Sequence, residues 1–301
     1  MRGAVLPGAR TDLTFTPASR CNLFRMTQIP AAATAPNAAA ALPPLSTTVA
    51  GNPTGPGILL AHGATGSIQG NYGDLIPALV ASGHRVVAPD YPGSGKTPRT
   101  TGPLELDALA DALVAEATAA GLETFTLIGF SMGTAVSVRA AARHPERVRG
   151  LVLTAGLAAA DARTAVWLDL WLHLLERADY AGFARARALS GYSPGHFNAL
   201  SPAERAAALD PDPSLLPSGS AEQAALVRAL DTTADLPGIS VPTLVIATTL
   251  DALVHPSHSR YLADHIPGAV YTEIATGHVP MVERPEEWEG LIQGFLGREG
   301  L

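Results

Sequence analysis

From residue 57 onward the chain alternates short apolar runs with longer helical stretches, and this alternation constrains the fold more than any other feature. The runs at 58–61, 85–88, 124–128, 151–153, 243–247 and 269–272 have the length and the β-branched content of strands. Between them, 72–82, 104–120, 132–143, 257–265 and 285–296 read as helices. Strands that are apolar almost throughout need cover on both faces, and strands separated by helices pair in parallel. The expected fold class is therefore α/β, a mostly parallel sheet covered by helices on both faces. Reactive groups in such a sheet collect at the carboxyl ends of its strands.

The alternation breaks once, between Leu153 and Val241, over a stretch far too long for a loop. Its content is helical. Val166, Trp167, Leu170, Trp171, Leu174 and Leu175 fall at helical spacing, Ser201-Pro202-Ala203-Glu204 is a capping box with proline at the first helical position, and Ser220 is placed to cap a helix running to Leu230. Residues 157–235 are read as a helical cap inserted over the carboxyl edge of the sheet, leaving 49–156 and 236–301 as the core. Residues 1–48, with Ala-rich sequence broken by Pro36 and then Pro43-Pro44, are expected to form an irregular arm, with a short strand at 11–16. Met26 offers a second start position.

A formal charge of −7 and a pI near 5.7 argue against nucleic acid or an anionic membrane as partner. Cys21 is the only cysteine, which excludes an intramolecular disulfide and a cysteine-based metal site and makes a reducing, cytoplasmic location the simplest expectation. No run approaches the roughly 18 apolar residues of a membrane span. The N-terminal stretch is interrupted by Pro7 and Gly8, unlike the apolar core of a signal peptide.

Within this frame one pentapeptide invites a chemical reading. Gly129-Phe130-Ser131-Met132-Gly133 sits where the strand at 124–128 meets the helix at 132–143. A turn that sharp strains its central residue and demands small flanking residues, and both flanks are glycine. It lifts the serine clear of the sheet beside the N–H groups that open the helix. A nucleophilic serine needs a base, and the base needs an acid to orient it. Asp251 follows the strand at 243–247 and His278 follows the last strand, so the order Ser131, Asp251, His278 places all three on loops at one sheet edge.

These residues, together with His62-Gly63-Ala64 after the first strand, Ala88-Pro89-Asp90-Tyr91-Pro92-Gly93-Ser94-Gly95 after the next, Val241-Pro242-Thr243 before the acid and Gly277-His278-Val279-Pro280 at the base, resemble the α/β-hydrolase family over 57 to about 297, apart from the cap. The resemblance implies an oxyanion hole formed by the backbone N–H groups of Ala64 and Met132, with Thr65 in the substrate pocket. It implies no metal or organic cofactor. Thr248-Thr249 stands where relatives often carry glycine, and the strands that usually precede His-Gly are not recognisable.

Other motifs take plainer readings. Gly93-Ser94-Gly95-Lys96-Thr97 fails the spacing of a phosphate loop, because Asp90 replaces the leading glycine and Pro98 follows, so it is read as a surface turn. His62 is read as a brace of the oxyanion loop, and His255 and His258 as solvated residues near a helix start. Trp167 and Trp171 are candidates for the wall of an apolar pocket, reinforced by Tyr180, Phe183, Tyr192, His196 and Phe197. The expected activity is hydrolysis of an ester, thioester or lactone of a small, partly apolar molecule. Two alternatives stand beside it: carbon–carbon hydrolysis, lyase, cyclase or acyl-transfer chemistry on the same fold, and a non-catalytic ligand-binding module.

Overall fold

The computed structural model describes residues 42–210 and 212–301. The strand expected at 11–16, Cys21 and most of the expected arm lie outside them. Seven strands form one sheet: β1 (Thr47–Gly51), β2 (Gly57–Ala61), β3 (Arg85–Pro89), β4 (Phe125–Phe130), β5 (Val148–Thr154), β6 (Thr243–Thr248) and β7 (Val270–Ile274). Their spatial order is β1-β3-β2-β4-β5-β6-β7, with β1 antiparallel to β3 and every other pair parallel.

Alternate side chains of each strand supply the two cores, as the pleat requires. Leu59, Val87, Leu127, Leu151 and Val245 point to one face, where α3 (Leu106–Ala119), α4 (Met132–Arg143) and α10 (Pro256–His265) pack. Ile58, Leu60, Val86, Ile128 and Ile246 point to the other, covered by α1 (Ile68–Tyr72), α2 (Leu75–Ala81) and, through Trp288, Ile292 and Phe295, α12 (Pro285–Glu299). The predicted two-sided α/β sheet is the observed one.

The insertion between β5 and β6 holds α5 (Ala162–Glu176), α6 (Tyr180–Gly191), α7 (Pro194–Ala199), α8 (Pro202–Leu209) and α9 (Ser220–Ala229); a short α11 (Pro280–Glu283) precedes α12. The capping box at Ser201 is formed. Ser220 is the first residue of α9 rather than its cap, a position held by Gly219, and its hydroxyl donates to the carbonyl of Pro217 instead.

Three expectations need correction. β1 was not recognised, and the arm cannot run to residue 48 because the strand begins at Thr47. On α5 the buried residues are Thr164, Leu168 and Trp171, whereas Val166 and Leu170 are 68% and 41% exposed. The apolar stripe is wider than the contact, and its centre lies a residue or two from where the spacing placed it. The turn around Ser94 is only partly a surface feature: Gly95 and Lys96 are exposed, but Ser94 and Thr97 are buried, with Ser94 Oγ donating to the Gly66 carbonyl and Thr97 Oγ1 to that of Asp90.

The strand order positions the site. From β2 the chain moves outward to β3, and from β4 it moves the opposite way to β5, so the crevice outside the carboxyl ends of β2 and β4 is a topological switch point. The loops carrying His62-Gly63-Ala64 and Ser131 leave the sheet there.

Candidate active site

Ser131 joins β4 to α4 with φ 53° and ψ −119°, a left-handed backbone that a serine adopts only when its surroundings enforce it. They do so by close packing. A Cβ on Gly133 would overlap the carbonyl of Ala61, and one on Gly129 would come within 2.5 Å of the Gly133 carbonyl, so helix and strands approach only because both flanks lack side chains. Tyr72 Oη lies 3.0 Å from the carbonyl oxygens of both Ala61 and Ile128, holding the ends of β2 and β4 together beneath the turn.

The three residues that the sequence places in order converge. Ser131 Oγ lies 2.9 Å from His278 Nε2, and His278 Nδ1 lies 2.7 Å from Asp251 Oδ2. An ionised carboxylate only accepts, so Nδ1 carries the proton and Nε2 is free to accept from the serine. The Asp251 side chain is fully buried and fully partnered. Oδ1 accepts the N–H groups of Leu253 and Val254, each at 2.9 Å, and Oδ2 also accepts the Thr248 hydroxyl at 2.9 Å. Thr248, at the end of β6, thus supports the carboxylate. The phenyl ring of Phe130 sits 5.0 Å from the imidazole. Hydroxyl, imidazole and carboxylate in this arrangement can generate an alkoxide-like nucleophile and return the proton to a leaving group.

The loop after β2 lies against the serine, since a Cβ on Gly63 would be 3.3 Å from that of Ser131. Asn71 Oδ1 accepts the Gly63 N–H. His62 braces the loop from behind: its Nδ1 donates to the Gly63 carbonyl and its Nε2 accepts the Tyr91 N–H. Burial lowers its pKa to about 4, so the ring is neutral and available for both bonds. Met132 is the first residue of α4, and its N–H has no intrahelical acceptor. The Thr65 N–H is taken by Gln223 Oε1, whose amide nitrogen reaches the Pro92 carbonyl and Ser94 Oγ. Gln223 sits on α9, fully buried, so the insertion holds this loop directly.

The base is tied to the insertion as well. The His278 N–H donates to the Gly191 carbonyl at 2.7 Å. The Glu283 carboxylate accepts the N–H of Gly277 and both the N–H and the hydroxyl of Ser193. Gln223 and Glu283 were not singled out from the sequence. A glutamine inside an amphipathic helix looks like solvated polar surface, and only tertiary contact reveals the difference.

A cavity of about 270 Å³ opens over Ser131 and His278. Ala64 and Thr65 form one side, and Leu168, Trp171, Ala188 and Val227 of the insertion form another. Trp171 lines the cavity as expected, edge-on to Phe183 at 5.4 Å, and its indole N–H finds no acceptor among the described residues. Trp167 does not line it; it packs half-buried against the core. Tyr192 lines the cavity and stacks on His196 and Phe197, while Tyr180 faces outward at 38% exposure. His255 caps α10, but His258 is not a solvated residue: it lies 3.3 Å from Asp161, the cap of α5, and so fastens the insertion to the core. Among the described residues no helix is long and apolar enough to cross a membrane.

A family model described as the alpha/beta hydrolase fold matches residues 56–285. Pyrrolizixenacetamide deacetylase of Xenorhabdus hominickii is 37% identical over 244 residues, covering 80% of this chain and 91% of its own. Pimeloyl-[acyl-carrier protein] methyl ester esterase of Neisseria meningitidis is 31% identical, covering 79% and 93%. Among solved structures, a hydrolase from Pseudomonas aeruginosa superposes with a TM-score of 0.74 at 27% identity, covering 84% of this chain and 94% of that one. An enol-lactonase from Burkholderia xenovorans, with a TM-score of 0.76 at 24% identity over 84% and 96%, shares the fold.

Proposed function

Because this chain belongs to the α/β-hydrolase fold family and is an enzyme related to hydrolases and esterases, we propose that it opens an ester, thioester or lactone through an acyl-enzyme on Ser131. Ser131 Oγ attacks the carbonyl carbon as its proton passes to His278 Nε2. The oxyanion that forms is held by the N–H groups of Ala64 and Met132, donors already in place before the reaction begins. Collapse of the tetrahedral intermediate expels the leaving group, which takes the proton from His278. Water then attacks the acyl-serine, with the same imidazole as base, and releases the carboxylic acid. Asp251 stays ionised throughout and stabilises the imidazolium.

The observation that carries this reading is the continuous relay, 2.9 Å and then 2.7 Å, opening into a cavity. That cavity is near the small end of the roughly 300–1,000 Å³ range of ligand pockets, which favours a compact, largely apolar substrate. The helical insertion acts as its cap, and the setting is cytoplasmic. The relative named a deacetylase extends the reading to an acetamide, which the same acyl-enzyme route would cleave. With p-nitrophenyl acetate and butyrate the purified protein should show steady turnover, and Ser131→Ala should lower kcat by at least about 10³-fold. Full turnover by that variant would overturn the proposal.

A further inference from the structure

We propose that Arg187 makes this cavity a receptor for a substrate that carries an anionic group, a carboxylate, at the end remote from the bond that is cleaved. The inference rests on reading the cavity as the substrate site of a serine hydrolase. It begins from a census of charge. Of the residues lining the cavity, Arg187 alone is permanently charged, and no aspartate or glutamate is among them. The remaining lining is apolar or neutral, with Thr65, Asn71, Thr164, Trp171 and Tyr192 as its hydrogen-bonding side chains besides Ser131 and His278.

Among the described residues Arg187 makes no salt bridge and its guanidinium makes no hydrogen bond. Of the other five arginines of the insertion, Arg177 is exposed and also lacks a side-chain partner among the described residues, but it does not line the cavity, and the remaining four are partnered. Arg185 donates to the carbonyls of Ala181 and Leu209, Arg205 to those of Asn198 and Leu200, and Arg228 pairs with Asp169. Arg163 likewise donates to the Ala252 carbonyl. Arg187 is held instead by an aromatic face. Its guanidinium carbon lies 5.8 Å from the centroid of Phe183, one turn earlier on α6, and Phe183 in turn packs edge-on against Trp171. A cation–π contact fixes the direction of the side chain without neutralising it.

Arg187 as a residue keeps more than a third of its surface accessible. Its pKa is nevertheless lowered, with desolvation by burial as the largest cause. The side chain is thus crowded by protein while the residue keeps accessible surface at the cavity that it lines. A guanidinium stays protonated under these conditions. A partly desolvated cation with no counter-charge among the described residues gains when a ligand brings an oxyanion of matching geometry. The planar fork donates two parallel hydrogen bonds to a carboxylate, and a phosphate presents similar acceptor oxygens.

The test separates this inference from the reaction itself. Ser131→Ala protein, with turnover removed, is titrated calorimetrically with monomethyl glutarate, adipate and suberate and with the corresponding dimethyl esters. The series varies the distance between ester and carboxylate. At pH 7 each monoester carries one negative charge and each diester none. At least one monoester should bind about 10-fold or more tightly than its diester. Arg187→Met in the same background should erase that preference, and Arg187→Lys should keep part of it. Equal binding of monoester and diester to the protein with Arg187 would overturn the inference, as would a preference that survives Arg187→Met in protein of unchanged melting temperature. Methyl 4-phosphonobutanoate binding more tightly than monomethyl glutarate would support the anion site and assign it to phosphate chemistry. Wild-type turnover of the diesters without preference for the monoesters would leave the hydrolase reading intact and remove the anion. Preferential monoester binding by a protein whose wild-type form hydrolyses none of these esters would do the reverse.

Discussion

The loops at the strand ends and the helical insertion face the same cavity but are built by opposite rules. In the loops, the polar atoms of Asp251, His278 and His62 are matched: Asp251 accepts four hydrogen bonds, His278 bridges acid to serine, and His62 is kept neutral so that both ring nitrogens can work. The insertion is looser in its chemistry. It exposes Val166, Leu189 and Leu215 at 68%, 66% and 78%, and it lines the cavity with Arg187, whose guanidinium has no hydrogen-bond or ion-pair partner among the described residues. The sheet fixes which reaction can occur, because its strand ends leave little freedom. On the proposed reading the insertion selects the molecule that reaches the serine. Gln223 and Glu283 are where the two meet, one holding the loop beside Ser131 and the other the loop bearing His278.

The largest effects should come from the loops. Ser131→Ala or His278→Ala is expected to lower kcat by about 10⁴–10⁶-fold with little change in fold, and Asp251→Asn by up to about 10⁴-fold; steady-state kinetics and circular dichroism separate the two readouts. A loss of less than about 100-fold at His278 would break the claim that the loops fix the reaction.

A stability effect of about 3 kcal/mol is expected from His62. Its folded pKa of about 4 lies below the ordinary 6.5, so the unfolded chain binds a proton that the folded one refuses. This contribution is intact above pH 6.5 and is lost as pH falls from 6.5 to about 4. Urea midpoints at pH 7 and pH 4.5 should therefore converge more in His62→Gln than in wild type.

At the junction, Gln223→Leu strands the Thr65 N–H and the Pro92 carbonyl. It should cost about 1–3 kcal/mol in a thermal melt and lower kcat about 10-fold through a displaced oxyanion loop. Thr248→Val, removing one bond to Asp251, should cost only about 1 kcal/mol. Within the insertion itself, Val166→Ser should shift stability by no more than about 0.5 kcal/mol while Leu168→Ala on the same helix costs about 2–5. Equal costs would mean that α5 packs on a different face.

The same contrast governs what could be read from sequence. The sheet was legible because buried parallel strands are apolar throughout, and the serine, acid and base were legible because each follows such a strand. β1 escaped because an edge strand with exposed Thr48 and Val49, set between Pro44 and Pro53, has neither alternation nor an apolar run. In the insertion, helices were detectable from caps and spacing, but their rotation was not. Trp167 and Trp171 share an apolar stripe, and which indole meets the cavity depends on where α9 and α6 pack. Arg187 and Gln223 carry no local signal, since a charged or amide side chain on an amphipathic helix is by default solvated.

The central claim is that the relay of Ser131, His278 and Asp251 makes this serine a nucleophile, and covalent trapping tests it most directly. Protein treated with a fluorophosphonate and mapped by peptide mass spectrometry should carry one adduct, on Ser131. Its formation should slow by about 10³-fold or more in His278→Ala and stop in Ser131→Ala. An adduct on another residue, or undiminished ester turnover once Ser131 is blocked, would contradict the account.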